Sequence, residues 1–204
     1  MRLILVRHGE TEWNREGRFQ GQSPVGLSEK GIRQARETAK ALVAMKPTAI
    51  YSSPLTRAMM TANEIGKAVS LEVTPLEGIK EVHLGEMEGI TGREMRDRFS
   101  QFYATWRRDP SQAVFPAGES MRQLQERAWN AIIGLERAHP NGAVVAVSHN
   151  FAIRTILCRF MGLPLSRFHR LRVDLASVGV LQTNGSNRQM LAMNERCHLP
   201  EEVR

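Results

Sequence analysis

Basic side chains follow three short runs of the 204-residue chain. The apolar run LILV at 3–6 leads straight into Arg7 and His8. TAIYSS at 48–53 leads, four residues on, to Arg57. AVVAV at 143–147 leads through Ser148 to His149. An arginine fork matches the oxygens of a phosphate in pairs, and an imidazole gains or loses its proton near neutral pH. Taken singly, a histidine at a strand end is ordinary structure and Arg57 a helix-surface charge. Taken together, two arginines and two histidines in one crevice would repel one another unless an anion sat among them. The chemistry these residues point to is the binding of a phosphate-like anion.

For that to hold, the elements around these residues must deliver them to one place. Continuous apolar runs such as 2–6 and 143–147 suit strands covered on both faces, as in a parallel sheet. TAIYSS is a third strand candidate. Helices fall between them. Residues 28–46 set Ile32, Ala35, Ala39, Leu42 and Val43 on one stripe, ending before Pro47. Ser53 is placed to cap a helix with Pro54 at its first position and Ala58, Met59, Ala62 and Ile65 inward. Ser120 and Gln123 form a capping box for a helix bearing Leu124, Ala128, Ile132 and Leu135. FAIRTILCRFMG at 151–162 reads as a further helix closed by Gly162, and VGVLQTNGSNRQMLAMN as a hairpin turning at 184–187. Alternating strands and helices give an α/β fold with a mostly parallel sheet. In such sheets ligands sit beyond the carboxyl ends of the strands, where Arg7, His8, Arg57 and His149 emerge. Helix N-termini aimed at the same edge add partial positive charge. Residues 85–118 are more polar and irregular and read as an insertion in a single domain spanning 1–204.

Composition narrows the field without choosing a function. Apolar residues make up 42% and charged residues 24%, the mix of a globular domain large enough to need no metal or disulfide staple. Cys158 and Cys197 are far apart and form no CxxC pair, which argues against a zinc site or a disulfide framework and fits a reducing compartment. Cys158, in an apolar stretch, reads as a small buried hydrophobe. No segment approaches the roughly 20 apolar residues of a membrane span, and the first residues are too short an apolar run for a signal peptide. The expectation is a cytoplasmic protein with no membrane partner. The net charge of +7 is spread singly along helices, with no nucleic-acid-binding motif beside it, so no nucleic-acid partner is expected.

The segments LVRHGET with Asn14 downstream, SSPLTRAMMTA, KEVHLGEMEG and AVVAVSHN resemble, in order and spacing, the motifs of the histidine phosphatase superfamily, the phosphoglycerate-mutase-like group. RHG alone is a weak match; the four motifs together, spanning residue 3 to about 182, are specific. The resemblance implies a three-layer sandwich with helices on both faces of the sheet. It implies that His8 is a nucleophile forming a phosphohistidine, that Arg7 and Arg57 clamp the phosphoryl oxygens, and that His149 donates a further hydrogen bond. The neighbouring Arg7, Arg57 and His149 should hold His8 neutral by like-charge repulsion, with a backbone carbonyl fixing its other ring nitrogen. Gly9 is expected to permit a turn and close approach of an oxyanion. Glu77, Glu81, Glu86 and Glu88 lie close together, and residue type does not choose among them; motif register assigns Glu81 as the proton donor and Glu88 as structural. Asn14 matches a phosphoryl-contacting position. Arg18, Gln20 and Gly21 match a substrate-facing loop supported by Glu10 and Thr11. His83 is a candidate substrate contact beside a structural reading. No metal-ligand motif is present, no cofactor is required, and the arginines supply the charge a magnesium ion would.

The implied activity is hydrolysis of small-molecule phosphate monoesters. The alternative is a cofactor-dependent phosphoglycerate mutase. The mutases carry a longer insertion and an ERHYG-like stretch after the donor glutamate, where this chain has KEVHLGEMEG, the form of the small phosphatases, including α-ribazole and broad-specificity ones. A phosphate-binding module without activity would lose the nucleophile, an arginine or the donor, and all are present here. The sequence does not decide between a monomer and a homodimer.

Overall fold

The computed structural model describes residues 1–184 and 187–204. Six strands form one sheet. In chain order they are β1 (Arg2–Arg7), β2 (Ala49–Ser52), β3 (Val73–Pro75), β4 (Ala143–Ser148), β5 (Val178–Asn184) and β6 (Asn187–Glu195), and their spatial order is β3-β2-β4-β1-β5-β6. The first four in that row are parallel, and β5 and β6 join antiparallel at one edge. The α/β class with a mostly parallel sheet is as expected, and the C-terminal hairpin is the β5–β6 pair. Of its expected turn, Gly185 and Ser186 lie outside the described residues.

Alternate residues of the apolar runs face opposite layers. Ile4, Val6, Ile50, Val145 and Val147 pack against α2 (Glu29–Val43) and α3 (Thr56–Val69) through Ala39, Leu42, Ala58, Ala62 and Ile65. Leu3, Leu5, Val144 and Ala146 pack against α6 (Met121–Ala138) and α7 (Asn150–Phe160) through Ala128, Ile132, Ile153 and Ile156. Both faces are therefore covered, which is why neither run alternates with polar residues. At about 1.5–3 kcal/mol for each large apolar side chain fully buried, these two layers hold the sheet.

The structure corrects several local readings. Helix α3 begins at Thr56 with Leu55 as N-cap and no side-chain cap, so Ser53 does not cap it. Val43, expected on the buried stripe of α2, is half-exposed at the helix end. The Ser120–Gln123 capping box forms as read, and Gly162 takes a left-handed φ of 67° just past α7. Residues 85–118 are more regular than their polarity suggests. They contain two short helices, α4 (Gly92–Arg98) and α5 (Ser100–Arg108), the first capped by a Thr91–Glu94 box that the sequence does show. Met87, Met95, Phe102, Trp106 and Phe115 join Leu84, Leu124 and Phe168 in an apolar cluster of their own.

Candidate active site

Strand register assembles the site. β1 and β4 pair with Arg7 opposite Ser148, so the next residues, His8 and His149, sit side by side, their ring centroids 5.1 Å apart. The His8 amide donates to the Ser148 carbonyl at 3.1 Å, and on the other flank of β4 the Ser53 amide donates to the Val147 carbonyl at 2.9 Å. Three strand ends thus come level at one edge, and α3, entering there, swings Arg57 in from its first turn.

His8 is 3% exposed. Its Nδ1 lies 2.7 Å from the carbonyl oxygen of Gly9. A carbonyl only accepts, so Nδ1 carries the proton and Nε2 a lone pair. Arg57 Nε donates to that Nε2 at 3.3 Å. Burial, then the charges of Arg57 and Arg7, hold the imidazole well below the ordinary histidine pKa, against a weaker opposing effect of the Gly9 bond. Like-charge repulsion from Arg57 and Arg7 therefore acts, behind desolvation, while His149, expected to join them, is not among the causes. The result is a rigid, neutral imidazole whose Nε2 lone pair accepts from Arg57 and is released when that guanidinium turns to an anion.

Arg57 is buried. Its Nη2 donates to the Gly21 carbonyl at 2.7 Å and its Nη1 to the Ser23 carbonyl at 3.1 Å, which ties the 20–23 loop to α3. Arg7 Nη1 donates to the Val173 carbonyl at 2.7 Å, while its buried Nε has no protein partner among the described residues. Burial lowers both guanidinium groups to about 10, opposed in each case by Glu81, and both stay cationic at neutral pH. His149 is buried completely. Its Nε2 lies 2.7 Å from Ser53 Oγ, and its Nδ1 has no partner among the described residues. Burial, with Arg57, His8, Arg7 and Arg127 adding to it, pushes the His149 imidazole well below its usual pKa.

Glu81 crowns the N-terminus of α7. Its Oε1 accepts from the amides of Val82 at 3.0 Å and Ala152 at 3.1 Å, and its Oε2 from that of Phe151 at 3.0 Å. Free amides at a helix start are natural carboxylate ligands. Arg127, from α6, holds the segment that carries Glu81. It donates to the carbonyls of Gly78 (2.9 Å), Lys80 (2.8 Å) and Glu81 (2.8 Å), and pairs with Glu119.

Arg7, His8, Asn14, Arg18, Gln20, Gly21, Arg57 and Glu81 line one cleft of about 150 Å³, with His149 packed against His8 behind it. At the start of α1 (Glu12–Arg15), Asn14 Oδ1 accepts from the backbone and hydroxyl of Thr11 in a capping box, and its Nδ2 has no partner among the described residues. Arg18 is tied to Glu16 and to the Gly89 carbonyl at the rim. Gln20 has a buried Oε1 with no partner among the described residues. Gly21 has φ +53°, and a Cβ there would collide with Glu88 Oε1. Glu88 accepts from the Gln22 amide at 2.8 Å and from the Ser23 hydroxyl at 2.5 Å, the structural role motif register gives it.

Two readings change. His83 does not reach the cleft. Its amide and carbonyl are held by Glu119, its side chain is exposed, and Val82 and Leu84 take the lining positions on either side. The need for glycine at 9 is also different: a Cβ there would lie 2.5 Å from the Gly31 carbonyl, so Gly9 lets the chain just after β1 pass close against the start of α2. Sequence reasoning missed Ser53 as the partner of His149, Arg127 as the clamp on the Glu81 segment, and the apolar lining by Phe19, Leu84 and Phe151. No spacing rule links Ser53 to a histidine 96 residues away.

Known proteins match this chain end to end. The family described as Histidine phosphatase superfamily (branch 1) matches residues 3–196. Phosphoserine phosphatase 1 of Hydrogenobacter thermophilus is 36% identical over 201 residues, covering 98% of this chain and 95% of that protein. A protein named probable phosphoglycerate mutase from Cronobacter sakazakii is 34% identical over 182 residues, covering 87% and 83%. The solved structure of Bacillus stearothermophilus YhfR superposes with a TM-score of 0.92 at 29% identity, covering 97% of this chain and 98% of that one.

Proposed function

Because the chain belongs to the histidine phosphatase superfamily, branch 1, we propose that it is a metal-independent phosphomonoesterase acting through a phosphohistidine on His8. One observation carries this reading: the Gly9 carbonyl fixes the proton on Nδ1, so the Nε2 lone pair faces the anion-binding side between two arginines. A phosphate monoester places its phosphoryl group between Arg7 and Arg57, whose charge matches the charge on the phosphoryl oxygens in the transition state. His8 Nε2 attacks phosphorus in line, the ester P–O bond breaks, and Glu81 gives a proton to the departing alkoxide. The Nδ1–H bond to Gly9 favours the positive charge that the phosphorylated ring acquires. Water then attacks the phosphohistidine, Glu81 takes its proton, the N–P bond breaks, and inorganic phosphate leaves with His8 restored.

His149 is a further donor. In this reading the Ser53 hydroxyl, 2.7 Å from Nε2, is the donor in that bond, which places the imidazole proton on Nδ1, the nitrogen without a partner among the described residues, where it meets a phosphoryl oxygen. Asn14 Nδ2 serves the same group, and Arg18, Gln20 and Gly21 face the remainder of the substrate. Residues 85–118 act as a cap-like insertion in a single domain. Two unpaired cysteines support a reducing, cytoplasmic setting.

His8→Ala tests the reading: it abolishes hydrolysis of p-nitrophenyl phosphate while the circular dichroism spectrum is kept, and undiminished turnover would refute it. The mutase alternative is separated by incubating 3-phosphoglycerate with and without 2,3-bisphosphoglycerate. Release of inorganic phosphate is expected; isomerisation without release would favour the mutase.

A further inference from the structure

Resting on the phosphatase reading, we infer that the substrate's leaving group is apolar, an alkyl or aryl alcohol, bound in an aromatic cavity that adjoins the phosphate cleft. Arg7, Arg18 and Arg57 make the cleft cationic, but Phe19, Leu84 and Phe151 line both the cleft and a second cavity of about 50 Å³, whose remaining walls are Met87, Met95, Phe102, Trp106 and Phe115. No lining residue of that cavity is charged. A carboxylate or ammonium group lodged there would give up its water and meet no partner, which is strongly unfavourable. Arg18 faces the substrate from the cleft, where Glu16 and the Gly89 carbonyl hold it, and does not line this cavity; the His83 side chain is exposed.

The aromatic rings also have the arrangement of a binding wall. Trp106 stacks on Phe151 at 5.4 Å between centroids, with 18° between planes, and on Phe102 at 6.1 Å and 13°. Phe19, Phe102, Trp106 and Phe151 are only partly buried, so they keep apolar surface that a substrate can cover. A volume of 50 Å³ takes only a handful of non-hydrogen atoms, the end of a short alkyl chain or the edge of an aryl ring.

The test is phosphate release from methyl, butyl and hexyl phosphate, whose leaving groups are of similar basicity, beside p-nitrophenyl phosphate and L-phosphoserine. We expect kcat/KM to rise roughly 10- to 100-fold from methyl to hexyl phosphate, the range that apolar pocket contacts supply, with L-phosphoserine below butyl phosphate. A flat series, or L-phosphoserine as the best substrate, overturns the inference and leaves the phosphatase reading standing. Failure of every ester, p-nitrophenyl phosphate included, overturns both. In Trp106→Ala the hexyl-to-methyl ratio should fall about fivefold or more; an unchanged ratio in a folded variant counts against the cavity. Should that variant not fold, inhibition of the unaltered enzyme by hexylphosphonate and methylphosphonate reads the same contact. Hexylphosphonate should bind about tenfold tighter, and equal inhibition overturns the inference.

Discussion

Replacing Ser53 with alanine removes one hydroxyl and isolates the part of the site that local sequence does not reveal. Ser53 is fully buried, and its Oγ lies 2.7 Å from Nε2 of the equally buried His149; its second contact, from the Leu55 amide at 3.3 Å, is marginal. In Ser53→Ala the Nε2 atom keeps its burial and loses its partner. A buried polar atom left unpaired costs about 1–3 kcal/mol, which in a domain of this size lowers the melting temperature by about 2–4 °C per kcal/mol. The catalytic consequence is larger, because the imidazole loses both its orientation and its tautomer. Misplacing a catalytic group by about 1 Å can cost 100-fold, so kcat on p-nitrophenyl phosphate is expected to fall roughly 10- to 100-fold. The assay is steady-state turnover of Ser53→Ala, His149→Ala and the double variant, with thermal unfolding of each. If Ser53 acts only through His149, the double variant is no slower than His149→Ala. Additive losses, or Ser53→Ala turnover within twofold of the unaltered protein, would mean that Ser53 does not act through His149.

Two further expectations follow from the same geometry. Arg127→Met frees the carbonyls of Gly78, Lys80 and Glu81, loosening the segment that aims Glu81. Turnover of butyl phosphate, which needs a proton for its alkoxide, should fall about tenfold more than that of p-nitrophenyl phosphate, and equal losses would remove Arg127 from this role. Stability should also depend on the two buried imidazoles. Their pKa values are lowered in the folded protein from an ordinary 6.5, so the unfolded chain binds more protons below about pH 6.5. Stability is complete above that pH and is lost as pH falls, by up to about 1.4 kcal/mol per pH unit for each histidine. Denaturant titrations of the unaltered protein and of His149→Ala between pH 7 and 5 measure this slope, and an unchanged slope in the variant would contradict a neutral buried His149.

How much of this was legible beforehand differs from residue to residue. The runs at 2–6 and 143–147 announce doubly covered strands, because a parallel sheet between helix layers leaves no face for polar residues, and that pattern is written locally. The Ser120–Gln123 box is local as well, a hydrogen-bond exchange across three residues. The placement of Arg7, His8 and His149 at strand ends follows from the strands themselves. The segment 85–118 reads as irregular because its polar surface outweighs the few inward aromatics, although Thr91 and Glu94 carry a helix-start signal. The class of fold, the edge of the sheet that does chemistry and the kinds of side chain gathered there are thus legible along the chain. Tertiary structure decided the rest: that β1 and β4 pair with Arg7 opposite Ser148, that Ser53 serves His149 instead of a helix, that the Gly9 carbonyl selects the tautomer of His8, that His83 faces away, and that an uncharged aromatic cavity adjoins the cleft. Register, burial and tautomer depend on groups distant in the chain and on how much water is excluded between them, and periodicity along one segment carries neither quantity.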